Sequence, residues 1–572
     1  MLSADIQKLP RHFLPQGFQL TTWADIAPYF EALENRALNT TADLEQWLKD
    51  LSELEAAISE DACWRQIKMT CDTTDAALEA SFNYFCTEIQ PHVQPYADRL
   101  NKKLMATPLL ADLPQEQYYT YLRSVKKSID LFREANIPLQ SELSVLQQQF
   151  GAIAGKMTVE VNGQEYTLQQ AAKFLESHDR NLREQVYHKI WERRLADKEA
   201  LNNLYTTLVQ KRQQVAANAG FDNYRDYKFV ELGRFDYTKE DCFQFHEAVR
   251  QHVLPLVNNI YERKAKALGL SKLKPWDTEA YPEGMQPLKP FNGGTELLEK
   301  TIACFEQLHP FFADCLRKMN SLGHLDLESR KGKAPGGYNC PLAESGAPFI
   351  FMNAAGTMDD VTTMVHEGGH AVHSFLAHNL SLSAFKEYPM EIAEVASMAM
   401  ELFSMDHWQA FFGNDTEKLK QAKEHQLERV ITIFPWIATI DAFQHWVYEH
   451  PNHTEEERAA AWTNILATFK IDAIDTSDVA TYRQYSWQRQ LHLFEVPFYY
   501  IEYGIAQLGA IGLWMQYKQN PQQALQNYIN ALQLGGTKTL PALYEAAGLK
   551  FDFSPEHIKT LMQFVKAEMD AL

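Results

Sequence analysis

The sequence predicts a mainly α fold, and three observations point to it. Apolar residues recur at three-and-four spacing in stretches such as TADLEQWLKDLSELEAAISE and PEHIKTLMQFVKAEMDAL, the period of one helix face. Only two stretches read as strand. Of the 572 residues, 45% are hydrophobic and 22% charged, which is ample for a large core. At roughly 100–200 residues per domain, that length corresponds to three or four domains, or to fewer in one large helical body.

Taken in order, residues 1–200 read as an N-terminal helical region without Gly/Ser linkers, low-complexity tracts or repeats. Within it, MTVEVNGQEYTL (157–168) is a pair of short alternating runs joined by Asn162-Gly163, a strong hairpin signal. A soft boundary is placed near residue 200, which leaves 201–572 as the domain that carries the chemistry. The proline-rich stretch from Gly269 to Gly294 reads as a crossing between substructures. GAPFIFMNAAGT, Gly346 to Thr357, is an apolar β-type run that ends at a glycine. It predicts a small sheet directly before the next helix. The run FYYIEYGIAQLGAIGLWM, Phe498 to Met515, contains Glu502 and reads as a buried core helix, not a membrane span.

The formal net charge is -20 and the pI is about 5.4. Such a chain repels nucleic acid and anionic lipid, so neither is an expected partner. Oligomeric state cannot be read from the sequence. The seven cysteines are odd in number and include no CxxC pair, which argues against a disulfide framework and a thiolate zinc site of that kind. No apolar stretch in MLSADIQKLPRHFLPQGF reads as a secretory signal, and a reducing cytoplasm is the expected location.

The chemistry concentrates in DVTTMVHEGGHAVHSFLAH, Asp360 to His378. Asp359 or Asp360 is the expected cap of a helix running to about Leu376. Residues i and i+4 share a helix face, so His366 and His370 present two imidazoles to one side, a pair that zinc accepts. Glu367 is offset around the helix, too far to join them easily but well placed to take a proton from an activated water. Gly368 and Gly369 each cost roughly 1 kcal/mol against alanine in a helix. A purely structural helix gains nothing from them, whereas one that something approaches closely does. The metzincin pattern would require glycine at 373 and histidine at 376, where the chain has His373 and Leu376; the spacing of thermolysin-like sequences would put a glutamate at Pro389. Both are excluded. The following helix, EIAEVASMAMEL, offers Glu391, Glu394 and Glu401 on roughly one face, and any of them can complete a His/His/Glu site with an open fourth position. His373 and His378 read as bystanders.

These segments resemble the thimet oligopeptidase/oligoendopeptidase F family of zinc metallopeptidases, and most of all its compact bacterial Pz-peptidase-like branch. KGKAPGGYNC, PFIFMNAAGT, HEGGHAVHSF, EIAEVASMAMEL, FEVPFYYIEYGIAQLGA and GGTKTLPALYEAAGLKFDFS carry the likeness, in order, over about residues 331–554. The resemblance implies a large two-lobed helical ellipsoid split by a deep substrate channel, with one Zn²⁺ per chain on the channel wall. It implies His366, His370 and Glu394 as metal ligands, Glu367 as general base, and Glu401 and Asp360 in support. It also implies an endopeptidase acting on short peptides. A dipeptidyl carboxypeptidase-like exopeptidase and an inactive peptide-binding protein are the alternatives. The strand with Phe351, Asn353, Ala354 and Gly356 is expected to pair with the peptide backbone. Beyond it, Pro497 suits the first turn of a helix that sets Tyr499 and Tyr503 on one face with His492 alongside. These three are expected to face the metal and stabilise the oxyanion, with a lean toward Tyr499 as the main donor.

Overall fold

The computed structural model describes residues 2–6, 8 and 10–572. The fold is mainly α, and its sheets among the described residues are small. Strands β1 (Thr158–Val161) and β2 (Gln164–Thr167) form the antiparallel hairpin. Its turn residues Asn162 and Gly163 have φ of 54° and 80°. Positive φ at both positions is what a two-residue type I′ turn requires.

The second sheet contains β3 (Leu325–Glu328), β4 (Tyr338–Cys340) and β5 (Phe349–Ala354) in the order β3-β5-β4. β5 runs parallel to β3 and antiparallel to β4. A continuous apolar run suits such a central strand, buried on both faces. Phe351 is fully buried and its ring stacks on Tyr338, centroids 4.7 Å apart. Both edges of β5 are therefore occupied, and this corrects the expectation that Phe351, Asn353 and Ala354 receive a peptide as an added strand. β4 is an outer strand of this sheet and pairs with no further strand among the described residues.

From β5 the chain turns at Gly356, φ +99°, into the histidine helix, Met358–Ala377. Its N-cap is Thr357, not Asp359 or Asp360. Asp360 closes a capping box from the third helical position. Its Oδ2 accepts from the backbone amides of Ala355, Gly356 and Thr357 at 2.9, 2.7 and 2.7 Å. Asp360 thus fixes the strand-to-helix turn and touches no candidate ligand.

The glutamate helix, Met390–Ser404, is buried from Glu391 onward. It packs between the histidine helix and the core helix Tyr500–Gln519. The latter is the apolar run from Phe498, and no helix among the described residues is long and apolar enough to cross a membrane. Pro497 lies outside it: the helix begins at Tyr500, with Tyr499 at the N-cap and Phe498 at φ 66°.

One large core joins residues from Leu131 onward to the C-terminal helices, and a second joins Leu14 through Val125 with Leu382 and Phe385. Ala4 and Ile6 also belong to the large core, so the two clusters interleave along the chain. The helices on either side of residue 200, Arg180–Ala196 and Lys198–Asn218, both contribute to the large core. All seven cysteines are free.

Candidate active site

Two facts position the site: the i,i+4 spacing on the histidine helix, and the close approach of the glutamate helix to it. A Cβ built on Gly369 would lie 2.6 Å from Cα of Ser397 and 2.7 Å from the carbonyl oxygen of Ala396. Only glycine permits that contact. One on Gly368 would meet the Phe305 ring at 2.7 Å. The pair of glycines thus admits packing partners, not substrate.

With the helices this close, Glu394 reaches both histidines. Its Oε2 lies 3.3 Å from Nε2 of His366 and 3.5 Å from Nε2 of His370. One ligand atom from each of the three residues falls within 4.8 Å of the others. Ser397 Oγ donates to Glu394 Oε2 at 3.0 Å, and the Tyr499 hydroxyl donates to Glu394 Oε1. Burial would raise the Glu394 carboxyl, but His370 and His366 hold it well below the usual carboxylate range. Glu391 is turned away and accepts from Tyr237 at 2.7 Å.

Behind His366, Glu401 Oε1 sits 2.7 Å from Nδ1. Gln426, on the helix Thr416–Glu449, donates to Glu401 Oε2 at 2.8 Å and accepts from Thr362 at 2.8 Å. This chain fixes the ring so that Nε2 points toward Glu394. Such outer hydrogen bonds set the tautomer and basicity of a metal-ligating histidine.

Glu367 is buried, and its Oε2 has no hydrogen-bond partner. Burial pushes its carboxyl above the ordinary range, against the opposing charge of His366 and His370. It lines a cavity of about 390 Å³ together with His366, His370, Glu394, His492, Tyr499 and Tyr503. Gln66 and Met69 of the helix Thr41–Cys71, and Val145 and Gln148 of the helix Ile137–Ala154, form part of another wall. The N-terminal region thus contributes to the cavity.

Across the cavity, Trp436 Nε1 donates to Oε1 of Gln490 at 3.0 Å. That fixes the amide so that Gln490 Nε2 donates to Nδ1 of His492 at 2.7 Å. His492 must then carry its proton on Nε2, which lies 3.1 Å from the Tyr503 oxygen. Burial lowers the His492 pKa to about 4, so the imidazole is neutral near pH 7. Burial also holds Tyr503 and Tyr499 well above the usual phenol range, so both remain protonated.

Of the residues expected to bind substrate, Phe351, Asn353, Ala354 and Gly356 are absent from the cavity lining. Asn353 Nδ2 instead holds the carbonyls of Ala334 and Gly336 at 2.9 and 2.8 Å, shaping the loop before β4. Gly336, Gly337, Tyr338 and Asn339 take their place in the lining. His373 is buried against Tyr388, ring centroids 3.6 Å apart, and is no part of the cluster. Sequence reading missed Gln426, Gln490 and Trp436. Gln490 was within reach, two positions before His492, but the other two lie on a long helix with no distinguishing spacing.

Two imidazoles and a carboxylate converging in a cavity define a candidate hydrolytic metal centre. The chain matches the family model "Peptidase family M3" over residues 173–563, and "Peptidase M3 N-terminal domain" over 13–132. It belongs to peptidase family M3. It is 23% identical over 387 residues to an oligoendopeptidase F homolog of Borreliella burgdorferi, covering 66% of this chain and 63% of that protein. It is also 23% identical over 420 residues to oligopeptidase PepF of Bacillus subtilis, covering 70% of this chain and 58% of that one. The match thus spans about three fifths of these relatives' length. Among solved structures, Pz peptidase A with an inhibitor superposes with TM-score 0.90 at 25% identity, covering 96% of each chain.

Proposed function

We propose that the chain is a zinc-dependent endopeptidase that hydrolyses internal bonds of short peptides. The observation that carries this reading is the meeting, in one cavity, of His366, His370 and Glu394 with the unpartnered carboxylate oxygen of Glu367 and the phenol of Tyr503. The names of the relatives, oligoendopeptidase F and Pz peptidase, support it.

The residues of this cavity fit one zinc ion. Two nitrogens and one carboxylate oxygen match the three-ligand set of catalytic zinc sites, and the orphaned Glu367 oxygen suits a site that receives a polar group. Bound there, zinc supplies Lewis acidity, which polarises a peptide carbonyl and acidifies a water molecule. Glu367 takes the water's proton and returns it to the leaving amine nitrogen. Glu401 and Gln426 hold His366 in place. Tyr499 is engaged with Glu394, whereas Tyr503 accepts from His492 and keeps its own proton free. Tyr503 is therefore the donor to the developing oxyanion, in place of Tyr499. A peptide extended along the free edge of β4, beside Gly336–Asn339, gains backbone hydrogen bonds. That mode reads extension more than side chains.

Among the described residues that line the cavity none is lysine or arginine. A free C-terminal carboxylate would find no cation there, which favours internal cleavage over the carboxypeptidase alternative. The acidic charge opposes nucleic-acid partners, and the free cysteines suit a reducing cytoplasm. The test is mass spectrometry of a digest of a peptide blocked at both ends. Chelator-sensitive internal cleavage is expected, and an uncut blocked peptide beside a trimmed free one would favour the exopeptidase.

A further inference from the structure

We propose that Cys242, Asp441 and His445 form a second divalent-metal site, suited to zinc and separate from the peptidase centre. It joins the helix Lys239–Ala248 to the long helix Thr416–Glu449.

The placement is that of a built site. Asp441 and His445 are i,i+4 on the long helix, and Cys242 faces them from the other. One ligand atom from each lies within 4.8 Å of the others. Relative exposures are 1% for Cys242, 0% for Asp441 and 2% for His445. Neither ring nitrogen of His445 makes a hydrogen bond, and Asp441 Oδ1 makes none either. Nε2 of His445 comes only to 3.3 Å from Asp441 Oδ2. That second oxygen is held by Nε2 of His246 at 2.8 Å, the kind of outer contact that orients a ligating carboxylate. Rings of Phe243, Phe498 and Phe229 surround the imidazole at 4.8, 5.4 and 5.9 Å.

A hydrogen-bonded Asp–His pair does not account for this arrangement. Even if His445 Nε2 is granted to Asp441 Oδ2 at 3.3 Å, that pair leaves Oδ1 of Asp441 and Nδ1 of His445 without partners, where buried polar groups are normally paired. A dication takes one ring nitrogen of His445, the free oxygen of Asp441 and the sulfur of Cys242. It displaces the thiol proton to solvent, and the thiolate and carboxylate then neutralise its charge. A sulfur, nitrogen and oxygen donor set selects zinc over the hard cations, which prefer oxygen alone. The consequence reaches the peptidase cavity: Phe498, packed on His445, directly precedes Tyr499, which holds Glu394.

Cobalt substitution of the purified full chain tests the proposal. The His366/His370/Glu394 set has no sulfur, so a thiolate-to-cobalt charge-transfer band in the near ultraviolet can arise only elsewhere. Expected are that band, two metal equivalents by elemental analysis, and loss of the band with one equivalent in Cys242→Ser. The double variant His366→Ala/His370→Ala is expected to keep the band and one equivalent, so failure of the peptidase reading and failure of this one look different. If Cys242→Ser does not fold, His445→Gln is expected to lose the band and one equivalent in its place, and a band that survives there overturns the proposal. A wild type that binds one equivalent without a charge-transfer band, or a band that survives Cys242→Ser, overturns the proposal.

Discussion

Gly369 faces Ser397 so closely that a methyl group on Gly369 would stand 2.6 Å from the Ser397 Cα. The obstructing atoms belong to backbone and cannot rotate away. Gly369→Ala must therefore part the histidine and glutamate helices and draw Glu394 back from the two imidazoles. Overpacking typically costs about 1–3 kcal/mol, and a backbone clash belongs at the upper end. Denaturant unfolding is expected to show that loss, and metal content after dialysis against a weak chelator is expected to fall. Gly368→Ala meets only the Phe305 ring, and a smaller loss on both measures is expected.

Glu394→Ala is expected to lose metal under the same dialysis, and Glu391→Ala to keep it, since Glu391 is turned to Tyr237. Glu401→Ala leaves all three ligands but frees the His366 ring, and outer-shell losses of this kind cost about 10–100-fold in metal affinity. Competition with a chromogenic chelator measures all three variants. Equal affinity in Glu401→Ala and wild type would remove Glu401 from this role.

The two tyrosines are expected to differ in kind. Tyr503→Phe removes the free phenol and is expected to cut kcat by about 10²–10³-fold, with KM and metal content near wild type. Tyr499→Phe releases one oxygen of Glu394 and is expected to show mainly in metal affinity. Steady-state kinetics beside metal analysis separates them. A Tyr503→Phe enzyme with normal kcat would place the oxyanion donor elsewhere.

His492 gives a pH-dependent prediction for stability. Its pKa in the folded chain is about 4, below the ordinary value of about 6.5, because burial disfavours the charged ring. The unfolded chain therefore takes up the proton first as pH falls. The stability tied to the neutral ring is present above about pH 6.5 and is lost progressively down to about pH 4. Urea unfolding at pH 8 and pH 5 is expected to show a larger drop for the wild type than for His492→Gln. Equal drops would mean that His492 titrates normally in the folded state.

Much of the helical fold and the core of the site were legible in the sequence because both depend on local periods. The i,i+4 spacing sets His366 and His370 on one face, and Asn162-Gly163 dictates its own turn. Glu394, Glu391 and Glu401 could not be told apart by spacing, and family likeness was needed to choose. The error over β5 had a physical cause. Its apolar run shows that both faces are buried but says nothing about its edges, which are filled by strands some 10 to 25 residues earlier. The relay from Trp436 through Gln490 to His492 crosses 54 residues and then two, and no short-range pattern marks its first step. Pro497 suggested a helix start, but Phe498 takes a positive φ and delays the helix to Tyr500.

The most direct test of the account is the turnover of a peptide blocked at both ends by wild type and Glu367→Gln, with metal content measured on the same samples. Glu367 has a free oxygen in the cavity and is not among the clustered donors. The variant is expected to hold metal as the wild type does while internal cleavage falls by about 10²–10⁴-fold. A variant that keeps its metal and more than about a tenth of the wild-type rate would contradict the assignment of Glu367 as the base.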